Sequence, residues 1–207
     1  IVEVRAISGG QSVFIGGAVV QWLRDELQLI ASAAECSSLA AEVNDANGLL
    51  LIPAFAGLGA PHWDPHARGL AIGITRGTTK AHWCRAALEG IAFQSAELFA
   101  AMQQDAPSPP DRALRVDGGA TASEPLMQFQ ADLLQRDLHR PAVTETTARG
   151  AALLAGLGAG VWDTPDALLA LQADARTVFS PQQPAALMQE KLDRWKAAVE
   201  RCKGWES

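Results

Sequence analysis

Leu114-Arg-Val-Asp-Gly-Gly-Ala-Thr-Ala-Ser123 passes from a strand through a glycine pair to a helix start. Ala113 to Val116 has strand character, Asp117-Gly118-Gly119 turns sharply, and Ser123 caps a helix with Glu124 and Pro125 in its first turn. A further strand follows at Leu138 to Val143. Strand, turn, helix and strand in this order mark an α/β domain. Glycines let a backbone approach a ligand, and a helix N-terminus presents N–H groups and a positive dipole end to a phosphate. Spacing alone leaves two readings open: a phosphate or nucleotide site, or an ordinary strand-to-helix turn.

Outward from this segment the same alternation recurs. Ile1 to Ile7 alternates like a half-buried strand, Ser8-Gly9-Gly10 is a turn, and Ser12 to Ile15 is a second strand broken by Gly16-Gly17. A helix from about Ala18 to Ser32 sets Val19, Leu23, Leu27 and Ile30 on one face. Leu39 to Val43 is a short helical piece, and Asn47-Gly48 is a turn. Leu49 to Ile52 reads as a strand buried on both faces, and Leu70 to Ile74 as its successor. Thr78 or Thr79 caps a long helix with Leu88, Ile91, Ser95, Leu98 and Met102 on one stripe, ending before the stiff Pro107-Ser108-Pro109-Pro110. Thr147 to Gly158 is a helix of small residues, suited to close packing on a neighbour. Another helix starts at Thr164-Pro165-Asp166. A last one, Ala185 to Lys203, aligns Met188, Leu192, Trp195 and Val199.

Two helix starts share a pattern. Gly17 and Gln21 are four apart, as are Gly119 and Ser123, so each pair shares a helix face. Facing one another, they would pinch a flat ligand such as a nucleotide. Packing of a neighbouring helix against the glycines is the competing reading.

Composition narrows the function classes. The chain has 207 residues, 48% of them hydrophobic and 19% charged, which allows one large core. A net charge of −6 with scattered basic residues argues against a nucleic-acid or anionic-membrane surface. Cys36, Cys84 and Cys202 form no Cys-x-x-Cys pair, so neither a zinc site nor a disulfide framework is indicated, and reduced thiols in a cytoplasm fit best. The longest apolar stretch, Gly150 to Trp162, is 13 residues long, below the about 18 of a membrane span. No signal peptide is legible at the start, and the opening Ile1 points to a fragment or a processed chain. His62 and His66 flank Asp64, but Pro65 prevents a regular helix from joining the histidines, so no metal site is expected. No P-loop or nucleophile elbow is found.

Leu49-Leu-Leu-Ile-Pro-Ala-Phe-Ala-Gly-Leu-Gly-Ala-Pro-His-Trp-Asp-Pro-His-Ala-Arg-Gly69 carries the strongest family signal. This loop resembles the corresponding segment of glycerol kinases, members of the FGGY carbohydrate kinases with an actin-like (ribonuclease H-like) ATPase fold. Phe14 to Asp25, Arg85 to Gln94, Leu114 to Gly119, Leu126 to Asp132 and Val143 to Ala152 resemble further family segments. Gly57-Leu58-Gly59 stands where related sugar kinases carry Gly-Glu-Arg. The resemblance implies an α/β domain with a mixed sheet and helices on both faces. It further implies one C-terminal, nucleotide-binding domain over residues 1–207, with residues 1–12 matching poorly. The implied parent enzyme moves the ATP γ-phosphate to glycerol with Mg²⁺. Family contacts to ATP or ADP fall at Gly17, Gln21 and Gly119, and at an Asn where this chain has Ser123. Gly118 is expected to approach nucleotide by backbone, and Asp117 to orient a Mg²⁺-bound water. The family's catalytic Asp and polyol-binding residues precede Ile1, so this piece alone is expected to be inactive. Trp63, Asp64 and Arg68 are expected to fix their own loop. The resemblance implies a cytoplasmic homo-oligomer. Pro181 to Leu187 has no acidic residue, so the phosphotransferase-system partner of some relatives is not expected. A kinase domain for another polyol, or a non-catalytic assembly module, are the alternatives.

Overall fold

A computed structural model describes residues 3–6, 9–12, 16–105, 113–167 and 176–206. The Pro107 to Pro110 connector and the strand residues Val13 to Ile15 lie outside them. β1 (Glu3–Ala6) and β2 (Gly9–Ser12) form an antiparallel hairpin with Ala6 opposite Gly9. Gly9 and Gly10 are therefore strand residues and not the expected turn, because they pair with Ala6 and Arg5.

α1 (Gly16–Asp25) is shorter than its apolar periodicity predicts. Gln28 takes a left-handed φ of 51°, and the Leu29 N–H reaches back to the Leu23 carbonyl at 2.9 Å. The chain therefore turns before Leu27, which stays 41% exposed while Ile30 is buried. α2 (Ala33–Ala41) then starts at Ser32, whose Oγ accepts the Glu35 N–H at 3.1 Å. Glu35 reaches back to the Ala31 N–H at 2.6 Å, close to the reciprocal pattern of a capping box.

β3 (Leu50–Ile52) and β4 (Leu70–Ile72) pair antiparallel, and the long α3 (Lys80–Asp105) packs on β3. Gly90 permits this approach: a Cβ there would lie 2.6 Å from the Leu51 carbonyl oxygen. Thr79 precedes α3 and bonds His82 Nδ1 through both its N–H, at 3.0 Å, and its hydroxyl, at 2.8 Å.

β5 (Leu114–Arg115), β6 (Leu138–Pro141) and β7 (Arg176–Phe179) make a mixed sheet, parallel between β5 and β6 and antiparallel between β6 and β7. α4 (Glu124–Leu134) follows β5, α5 (Thr146–Gly158) follows β6, and α6 (Ala185–Cys202) closes the chain. Residues 165–167 are helical, as expected there. The core gathers where α3, α4 and α6 meet. Phe93 stacks on the fully buried Trp195 at 4.8 Å and meets Phe129 edge-on at 5.4 Å, geometries that aromatic quadrupoles favour. α5 departs from expectation. It buries none of its residues, and a Cβ at Gly150 or Gly158 would touch nothing. Its small residues do not serve close packing on a neighbour among the described residues. Only Gly156 has a steric reason, because a Cβ there would overlap the Trp162 ring.

Candidate functional site

The loop from Pro53 to Gly69 is a clasp. Asp64 Oδ1 accepts the N–H groups of His66 and Ala67 at 2.8 and 3.1 Å, and Oδ2 accepts that of Gly204 at 2.8 Å. The Gly204 bond first, then those inside the loop, hold this carboxyl below its ordinary range. Arg68 donates to the Pro65 and Ala67 carbonyls and pairs with Glu206. Asp64 and Arg68 thus fix the loop as expected and also fasten residues 202–206. Trp63 is 72% exposed and leaves that task to them. His62 turns inward: its Nε2 lies 3.1 Å from Glu97 Oε1, while Trp195 Nε1 donates to Glu97 Oε2 at 2.9 Å. One buried carboxylate on α3 therefore joins the loop to α6.

The elements that carry the two glycine-led starts are in contact. α1 touches the 3₁₀ turn Gly119–Ala122, which is held between β5 and α4. Gly118 adopts φ 88°, a region that favours glycine. Its N–H donates to the Thr144 carbonyl at 2.9 Å, and its carbonyl accepts both the N–H and the hydroxyl of Thr121 at 3.0 and 2.7 Å. Gly118 is thereby committed to the turn. Gly119 is exposed beside it, and Asp117 is half-buried. A Cβ at Gly17 or at Gly119 would meet no heavy atom within 4 Å. Helix packing against these glycines is thus ruled out among the described residues. Gln21, one turn along α1, is exposed.

Ser123 differs from its expected role. It stands at the N-cap of α4, but its hydroxyl makes no cap hydrogen bond and is buried without a partner. The cap instead rests on backbone, with the Ser123 carbonyl accepting the Met127 N–H at 3.1 Å. Arg140, which the sequence did not single out, secures the same turn. From β6 its Nη1 donates to the Thr121 carbonyl at 2.8 Å, its guanidinium lies 5.0 Å from the Phe179 ring centre, and Glu124 is 3.6 Å away.

Residues 4–159 match the FGGY family of carbohydrate kinases, C-terminal domain. The chain belongs to this family. It is 55% identical over 195 residues to the glycerol kinase of Rhodopirellula baltica, covering 94% of this chain and 36% of that one. The crystal structure of Plasmodium falciparum glycerol kinase with ADP superposes with a TM-score of 0.82 at 35% identity, covering 93% of this chain and 38% of that one. Xylulose kinase from Rhodospirillum rubrum follows with a TM-score of 0.71 at 28% identity, covering 93% and 39%. This FGGY C-terminal domain therefore has the α/β, actin-like ATPase fold of those kinases, and it spans well under half the length of each. No helix among its described residues is long and apolar enough to cross a membrane.

Proposed function

We propose that this domain is the nucleotide-binding half of an ATP-dependent glycerol kinase, one domain over residues 1–207 with its first 12 residues the most divergent. The observation that carries the reading is the pair of open glycines. Gly17 and Gly119 sit on touching elements, with space above both among the described residues, as a flat base and ribose require. The likeness to glycerol kinases, one of them titled as an ADP complex, supports it.

In this reading Gly17 gives clearance, Gln21 supplies a polar contact, and Gly119 brings backbone close to the nucleotide. Gly118 sets the turn, and Arg140 and Thr144 hold it. Asp117 would orient a water on the Mg²⁺ that accompanies the nucleotide. When bound, that cation would supply charge neutralisation at the phosphates. Ser123 stands where the family carries Asn, and its buried hydroxyl, which makes no cap bond, is the polar group it offers to the nucleotide. Phosphoryl transfer rests on positioning and charge stabilisation, so a domain that holds nucleotide without the acceptor-binding half does not turn over glycerol. The parent enzyme acts in the cytoplasm as a homo-oligomer.

Calorimetric titration of the domain with Mg·ATP and Mg·ADP tests this. Saturable binding in the micromolar to millimolar range is expected, weakened in Gln21→Ala. No heat of binding at millimolar nucleotide would refute the assignment of an autonomous half-site.

A further inference from the structure

The chain holds two asparagines, Asn44 and Asn47, and only Asn47 precedes a glycine. Asn47 and Gly48 occupy the middle of a reverse turn. Both take left-handed angles, φ 51° and 78°, and the Leu49 N–H closes the turn on the Ala46 carbonyl at 3.0 Å. Two positive φ values in succession mark a type I′ turn, which Asn-Gly suits. Both residues are exposed. Among the described residues the Asn47 side-chain amide and the Gly48 N–H have no hydrogen-bond partner. Arg194 of α6 reaches the same corner: its Nη2 lies 3.7 Å from where a Cβ on Gly48 would stand.

We infer that Asn47-Gly48 is a self-modification site, where the asparagine deamidates through a succinimide with water as the co-reactant. The reaction needs a backbone nitrogen to reach the preceding side-chain carbonyl carbon. Gly48 has no Cβ to hinder that approach, and its N–H has no acceptor to leave. One backbone bond closes the turn, so the rotation that aligns the nitrogen breaks a single bond and lies within reach of local opening. The Arg194 guanidinium favours the negative charge that develops as the proton leaves. Asn44 lacks these features, because the Cβ and carboxylate of Asp45 crowd the nitrogen that would attack it.

A solvent base takes the Gly48 N–H proton. The nitrogen bonds to Asn47 Cγ, the Cγ–Nδ2 bond breaks, and Nδ2 leaves as ammonia with a proton gained from solvent. Water then adds to either carbonyl of the ring. Opening on one side leaves aspartate; opening on the other leaves isoaspartate, whose main chain is one carbon longer. Nothing is oxidised or reduced. Aspartate keeps the chain length and sets a carboxylate beside Arg194. Isoaspartate has no slack to use. The Gly48 carbonyl packs on Gly73, where a Cβ would collide with it, and the next residue, Leu49, is fully buried ahead of β3. The isoaspartate form is therefore the less stable of the two.

The test is incubation of the purified chain in warm, mildly alkaline buffer, with peptide mapping by mass spectrometry against time and isoaspartate counted by enzymatic methylation. Conversion confined to the Asn47 peptide is expected, seen as the mass change from –NH₂ to –OH, with both products formed and Asn44 intact. A parallel sample unfolded in urea sets the rate of the unconstrained site. Breaking one net hydrogen bond slows the native reaction by at most about tenfold. Greater protection than this, or conversion of Asn44 at an equal rate, would overturn the inference. Both are read on the unmutated chain, so they do not depend on a variant folding. Arg194→Ala, at an exposed position, should slow the native reaction roughly 1.5- to 5-fold, and an unchanged rate would remove Arg194 from it.

Discussion

Replacing Gly17 by alanine separates a ligand-facing glycine from a structural one. Gly17 is the second residue of α1, and a Cβ there meets no heavy atom within 4 Å. Alanine is the better helix former by about 0.5–1 kcal/mol in a helix interior. At this early position about 0.5 kcal/mol of added stability is expected. That corresponds to a rise in Tm of roughly 1–2 °C for a domain of this size. The same methyl occupies the space assigned to nucleotide. Overpacking a close contact by one carbon costs about 1–3 kcal/mol, which weakens nucleotide binding roughly 5- to 150-fold. Differential scanning calorimetry and isothermal titration of one preparation read both effects. Stability and affinity should move in opposite directions, a split that generic damage does not produce. An unchanged affinity for Mg·ATP beside a normal or raised Tm would remove Gly17 from the site. A clear fall in Tm would refute the packing argument itself.

Glu97→Leu should lower Tm by roughly 5–20 °C, because His62 and Trp195 each lose a buried partner and each orphaned group costs about 1–3 kcal/mol; a Tm within a degree of the parent would show the network carries no stability. Gly90→Ala forces a Cβ to within 2.6 Å of the Leu51 carbonyl, where only backbone can yield, so a loss of about 1–3 kcal/mol in urea denaturation is expected. The Asp64 carboxyl is depressed chiefly by the Gly204 N–H. Its contribution is full above the unfolded carboxyl pKa of about 3.9 and is lost as pH falls through the lower folded value. Amide protection at Gly204 should therefore collapse below about pH 4 and be weak at every pH in Asp64→Asn. Protection in that variant equal to the parent's at neutral pH would contradict the clasp. Ser123→Ala removes a buried hydroxyl that has no partner, so stability should hold or rise slightly; a loss above about 1 kcal/mol would mean that the hydroxyl caps α4 after all.

Local pattern carried much of the fold. The unbroken apolar run into β3, the turn at Asn47-Gly48 and the stripe along α3 were legible because each is set by neighbours in sequence. The same logic failed where a backbone reversal overrode periodicity. Leu27 fits the apolar stripe of α1, yet Gln28 turns left-handed and leaves it exposed. Ser123 fits the composition of a helix cap, but burial of its hydroxyl is a tertiary property that composition does not encode. The site was legible in part. Gly17, Gln21 and Gly119 follow from the spacing of two helix starts and from family resemblance. The contact of α1 with the 3₁₀ turn, by contrast, is a tertiary encounter. Arg140 carried no local signal, since an arginine in a short strand reads as an exposed residue until the sheet brings it to Thr121. The Glu97 junction is likewise an encounter between distant segments.

The loop from Pro53 to Gly69 and the glycine-led turns divide the work. In the loop the polar groups are turned inward or toward the C-terminal segment: Asp64 uses both carboxylate oxygens, Arg68 holds two carbonyls and Glu206, and His62 reaches Glu97. A group held this way is a poor partner for an incoming substrate, because binding must first break an internal bond. At Gly17 and Gly119 the opposite holds, since side chains are missing and the space above is open. The stretch that best marks the family is thus a brace joining α3, α6 and residues 202–206, while the proposed recognition falls to the two glycine-led turns. In the proposed reading such a site fixes where a nucleotide lies. On that reading, binding of Mg·ATP without turnover of glycerol is the outcome expected when the two are measured on one preparation.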